Sequence, residues 1–227
     1  ESTAADFMVS RVRLNADVAV NDTTSAFIQM SRNSTWGANS LNNANTGGAT
    51  GAANGSFQVS DNDANLGLHQ AYFTLKNFAG LPVDLKMGRQ QIVLDGHRIF
   101  GNTIWTMGQQ THDAVRLDHK HDNMSFSYAW ITNSESGTPG NNATISTSNE
   151  IETHMAYMKY QGILGGNLSI TYAGIIDPCG NNSNCTTAPA ESQNDMHTIG
   201  FRQAGQLYGV DYRGEYYYQF GDANQDA

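Results

Sequence analysis

Apolar and polar residues alternate one for one along most of this chain, and that period of two constrains its fold more than any other feature. Near the start Met8, Val12, Leu14, Ala16, Val18 and Val20 fall on one side, and Arg11, Arg13, Asn15 and Asp17 on the other. A helix would mix these sets, whereas a strand sends successive side chains to opposite faces. The split recurs in Ala26, Ile28 and Met30, in Ala71, Phe73 and Leu75, in Leu85 and Met87, and in Val115 and Leu117. It returns in Met124 to Trp130, Leu168 to Tyr172, Ile199 to Phe201, and Val210 to Tyr216. Residues 152–160 read as a tenth strand, but His154, Met155, Tyr157, Met158 and Lys159 do not sort cleanly. No run of 18 apolar residues occurs, so transmembrane helices are excluded.

The connections alternate in length. Short ones lie near 21–23, 77–81, 121–123, 162–167 and 203–206; long polar ones lie near 33–65, 93–112, 133–150 and 175–194. A soluble sandwich has no reason to gather its long loops at one end, while a transmembrane β-barrel has short periplasmic turns and long extracellular loops. The reading is therefore a single all-β domain over 1–227, an antiparallel up-and-down transmembrane β-barrel of about ten strands. Outer-membrane lipid meets the apolar faces. Charged residues are only 15% of the chain, against roughly 25% in ordinary soluble domains. The net charge of −9 removes nucleic acid as a partner, since binding it takes a basic surface.

The polar faces carry the candidate function. Six of the 12 basic residues lie on them: Arg11, Arg13, Lys86, Arg116, Arg202 and Arg213. Only five of the 21 acids do: Asp17, Asp84, Asp118, Asp211 and Glu215. In a barrel these side chains line a wet lumen. Slipping the first strand by one residue would turn Arg11 and Arg13 to lipid, at about 2–4 kcal/mol each near the midplane. Strict alternation sets Arg89 outward with Met87, which predicts a bulge there or a place near the membrane interface.

Other constellations are weaker. Cys179 and Cys185, in CGNNSNC, suit a small disulfide ring in an oxidising compartment better than a zinc site. His119 and His121 form an H-x-H pair on one strand face, a candidate metal pair that reads better as a polar periplasmic turn. Asp61 and Asp63 resemble the start of a calcium loop without its Gly or closing Glu. No other cofactor is indicated. Asp95, His97, His112 and Asp113 could meet in one loop, but no G-x-S-x-G or Ser/His/Asp spacing supports catalysis.

The stretch from Leu68 to Leu117 resembles a known family. It runs LHQAYFTLKNFAGLPVDLKMGRQQI, then HRIFG, then Trp105, then THDAVRL. This ordered series is similar to the alginate export family of outer-membrane porins, as is the opening SRVRLNADVAVNDTTSAFIQMSRNSTWG. His97 stands where that family often has an acid, His112 replaces its Phe, and Ala114 stands for its Gly. The resemblance implies a barrel of about 18 strands with an open channel. It also implies a Gram-negative outer-membrane role in passing anionic polysaccharide or a similar anionic solute. An outer-membrane enzyme or a loop-based adhesive scaffold is the alternative, and a soluble β protein is a third. Ten strands with short turns at one end would leave both termini on the long-loop side, so further strands are expected before Glu1 and after Ala227.

Overall fold

The computed structural model describes residues 8–35, 67–104, 109–134, 151–177 and 194–222. Ten strands form one sheet in chain order, every neighbour antiparallel. They are β1 (Val9–Ala19), β2 (Thr24–Thr35), β3 (Gly67–Leu75), β4 (Asp84–Gln90) and β5 (His112–His121). The remainder are β6 (Met124–Ser134), β7 (Ile151–Ile163), β8 (Gly166–Asp177), β9 (Asn194–Leu207) and β10 (Val210–Asp222). Among the described residues β1 and β10 do not pair, so the sheet is open.

Local chemistry makes the short turns. Asn21 Oδ1 accepts the backbone N–H groups of Thr23 and Thr24 at 2.9 and 2.8 Å, an Asx turn closing β1 onto β2. Between β9 and β10, Tyr208 and Gly209 both take positive φ, 52° and 80°, the twist a two-residue hairpin needs. Asp122 and Leu164 take the same left-handed region in the turns after β5 and β7.

The register keeps the two faces apart. One pairing row reads Met87, Val115, Trp130, His154, Gly174, His197 and Phe220. The neighbouring row of the opposite face reads Lys86, Arg116, Ala129, Met155, Ala173, Thr198 and Gln219. The apolar face is solvent-exposed along its length, with Val12, Leu14, Ile199, Phe201 and Phe220 all open. The polar face is concave: side chains from β1 through β7 line a single cavity.

The core lies on that concave face. After β4 the chain turns inward across the strands. Ile92, Leu94 and Phe100 become buried against Ala114, Ala129, Ile131, Met155, Tyr157 and Ala173. This accounts for the strand whose sequence did not sort. On β7 the inner residues Thr153, Met155, Tyr157 and Lys159 alternate with His154, Ala156, Met158 and Tyr160, and Met155 and Tyr157 are apolar or aromatic because the segment covers them. A hairpin inside the segment is closed by Leu94 and Phe100, whose backbones bond at 3.1 Å. Asp95 and His97 take positive φ at its tip.

The irregularities of the sheet lie away from Arg89. No bulge occurs at Arg89, which pairs in unbroken register with Ala71 and Asp113. It does face outward, one residue from the end of β4, and its charge is met by Asp113 through two hydrogen bonds of 2.9 and 2.7 Å. The register shifts elsewhere: between β6 and β7 at Thr132 and Ser134, between β7 and β8 at Gln161 and Ile163, and between β2 and β3 at Gln29 and Met30, which leaves His69 without a strand partner. His69 is thereby buried and meets Gln91 at 3.1 Å.

Phe100→Ala should release the inward segment while leaving the strands paired. Removing a buried Phe costs about 3–5 kcal/mol, so proteolytic cleavage within 91–104 should accelerate on the order of a hundredfold or more. Unchanged cleavage of the folded protein in detergent would show that the segment is not held this way.

Candidate solute pathway

The inward segment is placed by the residues that open it. Gly88 has φ 121°, and a side chain there would overlap the Ala71 carbonyl; only glycine lets β4 approach β3 so closely. Gln90 is fully buried and donates to the Ala114 and Gly88 carbonyls at 3.1 and 3.2 Å, closing the end of the strand. Gln91 is a hub. Its N–H donates to Gln70 Oε1 at 3.2 Å, its Nε2 donates to Gln109 Oε1 at 3.1 Å, and Asn102 Nδ2 donates to its Oε1 at 3.2 Å. Gln70 in turn donates to Gln29 at 3.1 Å, and Gln29 to Asn15 at 2.8 Å. A continuous amide chain thus ties the segment to β3, β2 and β1.

Farther along, charge fixes it to the other side. Asp95 accepts from Tyr157 Oη at 2.9 Å and from Ser169 Oγ at 2.5 Å, with Arg202 at 3.6 Å. Glu215 accepts from Arg98 at 3.0 Å and from Arg202 at 3.0 Å, and lies 3.5 Å from Arg213. Both carboxylates are nearly enclosed, at 9% and 10% exposure, so their cost of burial is offset only by these donors. Three guanidinium groups face two carboxylates, leaving one positive charge in excess.

The segment splits the concave face into two cavities. The lower one, toward the short turns, is about 850 Å³. It is lined by the cations Lys86, Arg116, Lys120 and Lys159 and the acids Asp17, Asp84, Asp95 and Asp118. Within it Arg116 pairs with Asp118 at 2.8 Å, and Ser127 donates to Asp118 at 2.5 Å. Lys86 forms no contact ion pair among the described residues and lies 4.4 Å from the centre of the Tyr72 ring. The upper cavity is about 710 Å³ and is bordered by Arg98, Phe100, His112 and the inner face of β6 to β9.

The residues singled out from sequence fall as follows. Arg11, Arg13, Asp17, Lys86, Arg116, Asp118, Arg202, Asp211, Arg213 and Glu215 all share the concave face by register. Arg13 donates to Ser31 at 3.4 Å and Gln206 donates to Asp211 at 3.1 Å. His119 and His121 lie on the outer face with parallel rings 6.4 Å apart. His119 contacts the Pro82 carbonyl at 2.6 Å, and His121 lies 3.4 Å from Asp122. Among the described residues no group of three or more potential ligands is arranged for a metal. Asp61, Asp63, Cys179 and Cys185 lie outside the described residues. Asp95 and Asp113 do not converge, because Asp95 binds the inner wall and Asp113 binds Arg89 on the outer face.

Arg98, Gln91, Tyr157 and Ser169 escaped sequence reading. The available signal was Ile92 just before, and Leu94, Ile99 and Phe100 inside, the connection near 93–112 assigned as an external loop, together with the apolar inner residues of β7.

An antiparallel sheet with an apolar outside, a charged concave inside and a segment folded into that inside is the wall of a transmembrane β-barrel. The family model for alginate export matches residues 1–227, and the chain belongs to the alginate export family of outer-membrane porins. No curated protein and no solved structure matches it.

Asp95 and Tyr157 should behave as a coupled pair. Hydrogen bonds to a charged group contribute about 1.5–3 kcal/mol, so Asp95→Asn and Tyr157→Phe should be non-additive by a similar amount in urea midpoints of the detergent-solubilised protein. Simple additivity would remove Asp95 as the anchor of the segment.

Proposed function

We propose that this chain walls an outer-membrane channel that carries anionic solutes along its concave face. The observation that supports the reading is the Arg98–Arg202–Arg213 cluster with its one unbalanced positive charge, placed where the inward segment narrows the face. A cationic ring lowers the electrostatic cost of an entering anion, and interspersed acids keep the anion from binding too tightly to leave. The acids Asp17, Asp84 and Asp118 of the lower cavity supply the second part. Lipid packs against the exposed apolar outer face. Arg89, near the end of β4, meets the headgroup region already neutralised by Asp113. The route requires no proton transfer and no cofactor. Anionic polysaccharide and smaller anions share the chemistry that this wall selects.

Conductance across planar lipid bilayers in a salt gradient tests this. The reversal potential should show anion preference. Lys86→Gln should lower the anion-to-cation permeability ratio about two- to fivefold, the size of one charge acting across a few ångströms of water. Cation preference in the unaltered protein, or no conductance at all, would overturn the channel reading.

A further inference from the structure

The inner face of a water-filled barrel is polar as a rule, but above the inward segment apolar side chains are interspersed among the polar Thr153, Thr198 and Gln219. A pairing row on that face runs Ala114, Ile131, Thr153, Ile175 and Met196 across five strands. Ala114 and Ile131 are buried in the core under the segment, and Thr153 beside them is buried as well. Ile175 stays half-buried, Met196 is 38% exposed, and Ile99 of the segment, opposite them, is 39% exposed. These three, with Phe100, Ile131 and Ala173, give the upper cavity its apolar lining. The lower cavity, by contrast, is lined by eight charged side chains. Packing of the core does not require Ile175 or Met196 to be apolar, since neither belongs to the buried cluster.

A cation stands at the edge of this apolar surface. Arg98 lines the upper cavity and is 61% exposed. It gives only its Nε to Glu215, and its terminal amino groups make no hydrogen bond among the described residues. A guanidinium with free N–H groups is shaped to hold a carboxylate. Arg89 and Asp113, outward by register but also bordering the cavity at the strand ends, neutralise each other.

We propose that the upper cavity is a binding station for an amphipathic carboxylate, with its apolar body against Ile99, Ile175 and Met196 and its carboxylate on Arg98. The volume of about 710 Å³ lies within the roughly 300–1,000 Å³ of small-molecule sites. This deepens the channel reading, on which it rests, by naming the solute class that the upper half of the path retains.

The test uses acetate, butanoate, hexanoate and octanoate as blockers of ion current through the protein in planar bilayers, with glucuronate as a hydrophilic anion. Blocking should strengthen along the series by up to about three- to fourfold per added methylene, and glucuronate should resemble acetate. Ile175→Asn with Met196→Gln should flatten the dependence on chain length. Arg98→Gln should weaken every carboxylate but leave the dependence in place. Calorimetric titration in detergent, corrected with protein-free micelles, reads the same series without requiring conductance. Retained electrophoretic heat-modifiability shows that each variant is folded. Anion-selective current with no chain-length dependence, or a dependence that survives in Ile175→Asn/Met196→Gln, overturns the station and leaves the channel reading standing. Absent current with a chain-length-dependent calorimetric signal keeps the station and overturns the channel. A flat calorimetric series overturns the station whatever the current.

Discussion

Everything on the concave face depends on covering one apolar patch. Ala129, Ile131 and Met155 point to the side of the sheet that also carries Arg116, Arg202 and Glu215. Left open, such a patch would face water. Ile92, Leu94 and Phe100 cover it, and each fully buried side chain of this kind contributes about 1.5–3 kcal/mol. The fold of the segment follows from that contact. So do the two cavities, the placement of Arg98 beside Glu215, and the enclosure of Asp95.

Polar contacts then give the segment one position rather than many. Apolar burial is non-directional and would tolerate sliding. The amide chain Asn15–Gln29–Gln70–Gln91 fixes its start against three strands. The Asp95 carboxylate fixes its tip against Tyr157 and Ser169. Both are enclosed enough that a displaced segment would strand buried donors and acceptors, at a cost of about 1–3 kcal/mol each.

The outer face solves a different problem at its polar end. Arg89 and Asp113 neutralise each other. Nearby, the Trp130 indole donates to Glu152 at 2.6 Å, and Tyr128 and Tyr172 bond His154 and His197 at 2.8 and 2.9 Å. Aromatic side chains with a polar end suit a boundary where one side is apolar and the other wet. Below that row the outward positions revert to Phe126, Met158, Ile170 and Phe201, which is the change expected on moving from interface to hydrocarbon.

The sequence by itself determined the strands, their number and which side chains share a face. Alternation is a local property, and the backbone turns every side chain over at each residue whatever lies nearby. The facing of Arg11, Arg13, Lys86, Arg116, Arg202 and Arg213 was legible for that reason, as was the outward direction of Arg89. The inward course of the 91–104 segment was not legible. Its polar residues resemble those of an external loop, and the few apolar ones find partners 14 to 81 residues away, on β5 to β8. The same is true of Glu215 and Arg98, which lie 117 residues apart in the chain and 3.0 Å apart in space. Only the curvature of the sheet brings β4, β7 and β10 around one interior. That curvature decided which charges meet, where the positive excess lies, and which part of the inner wall stays apolar.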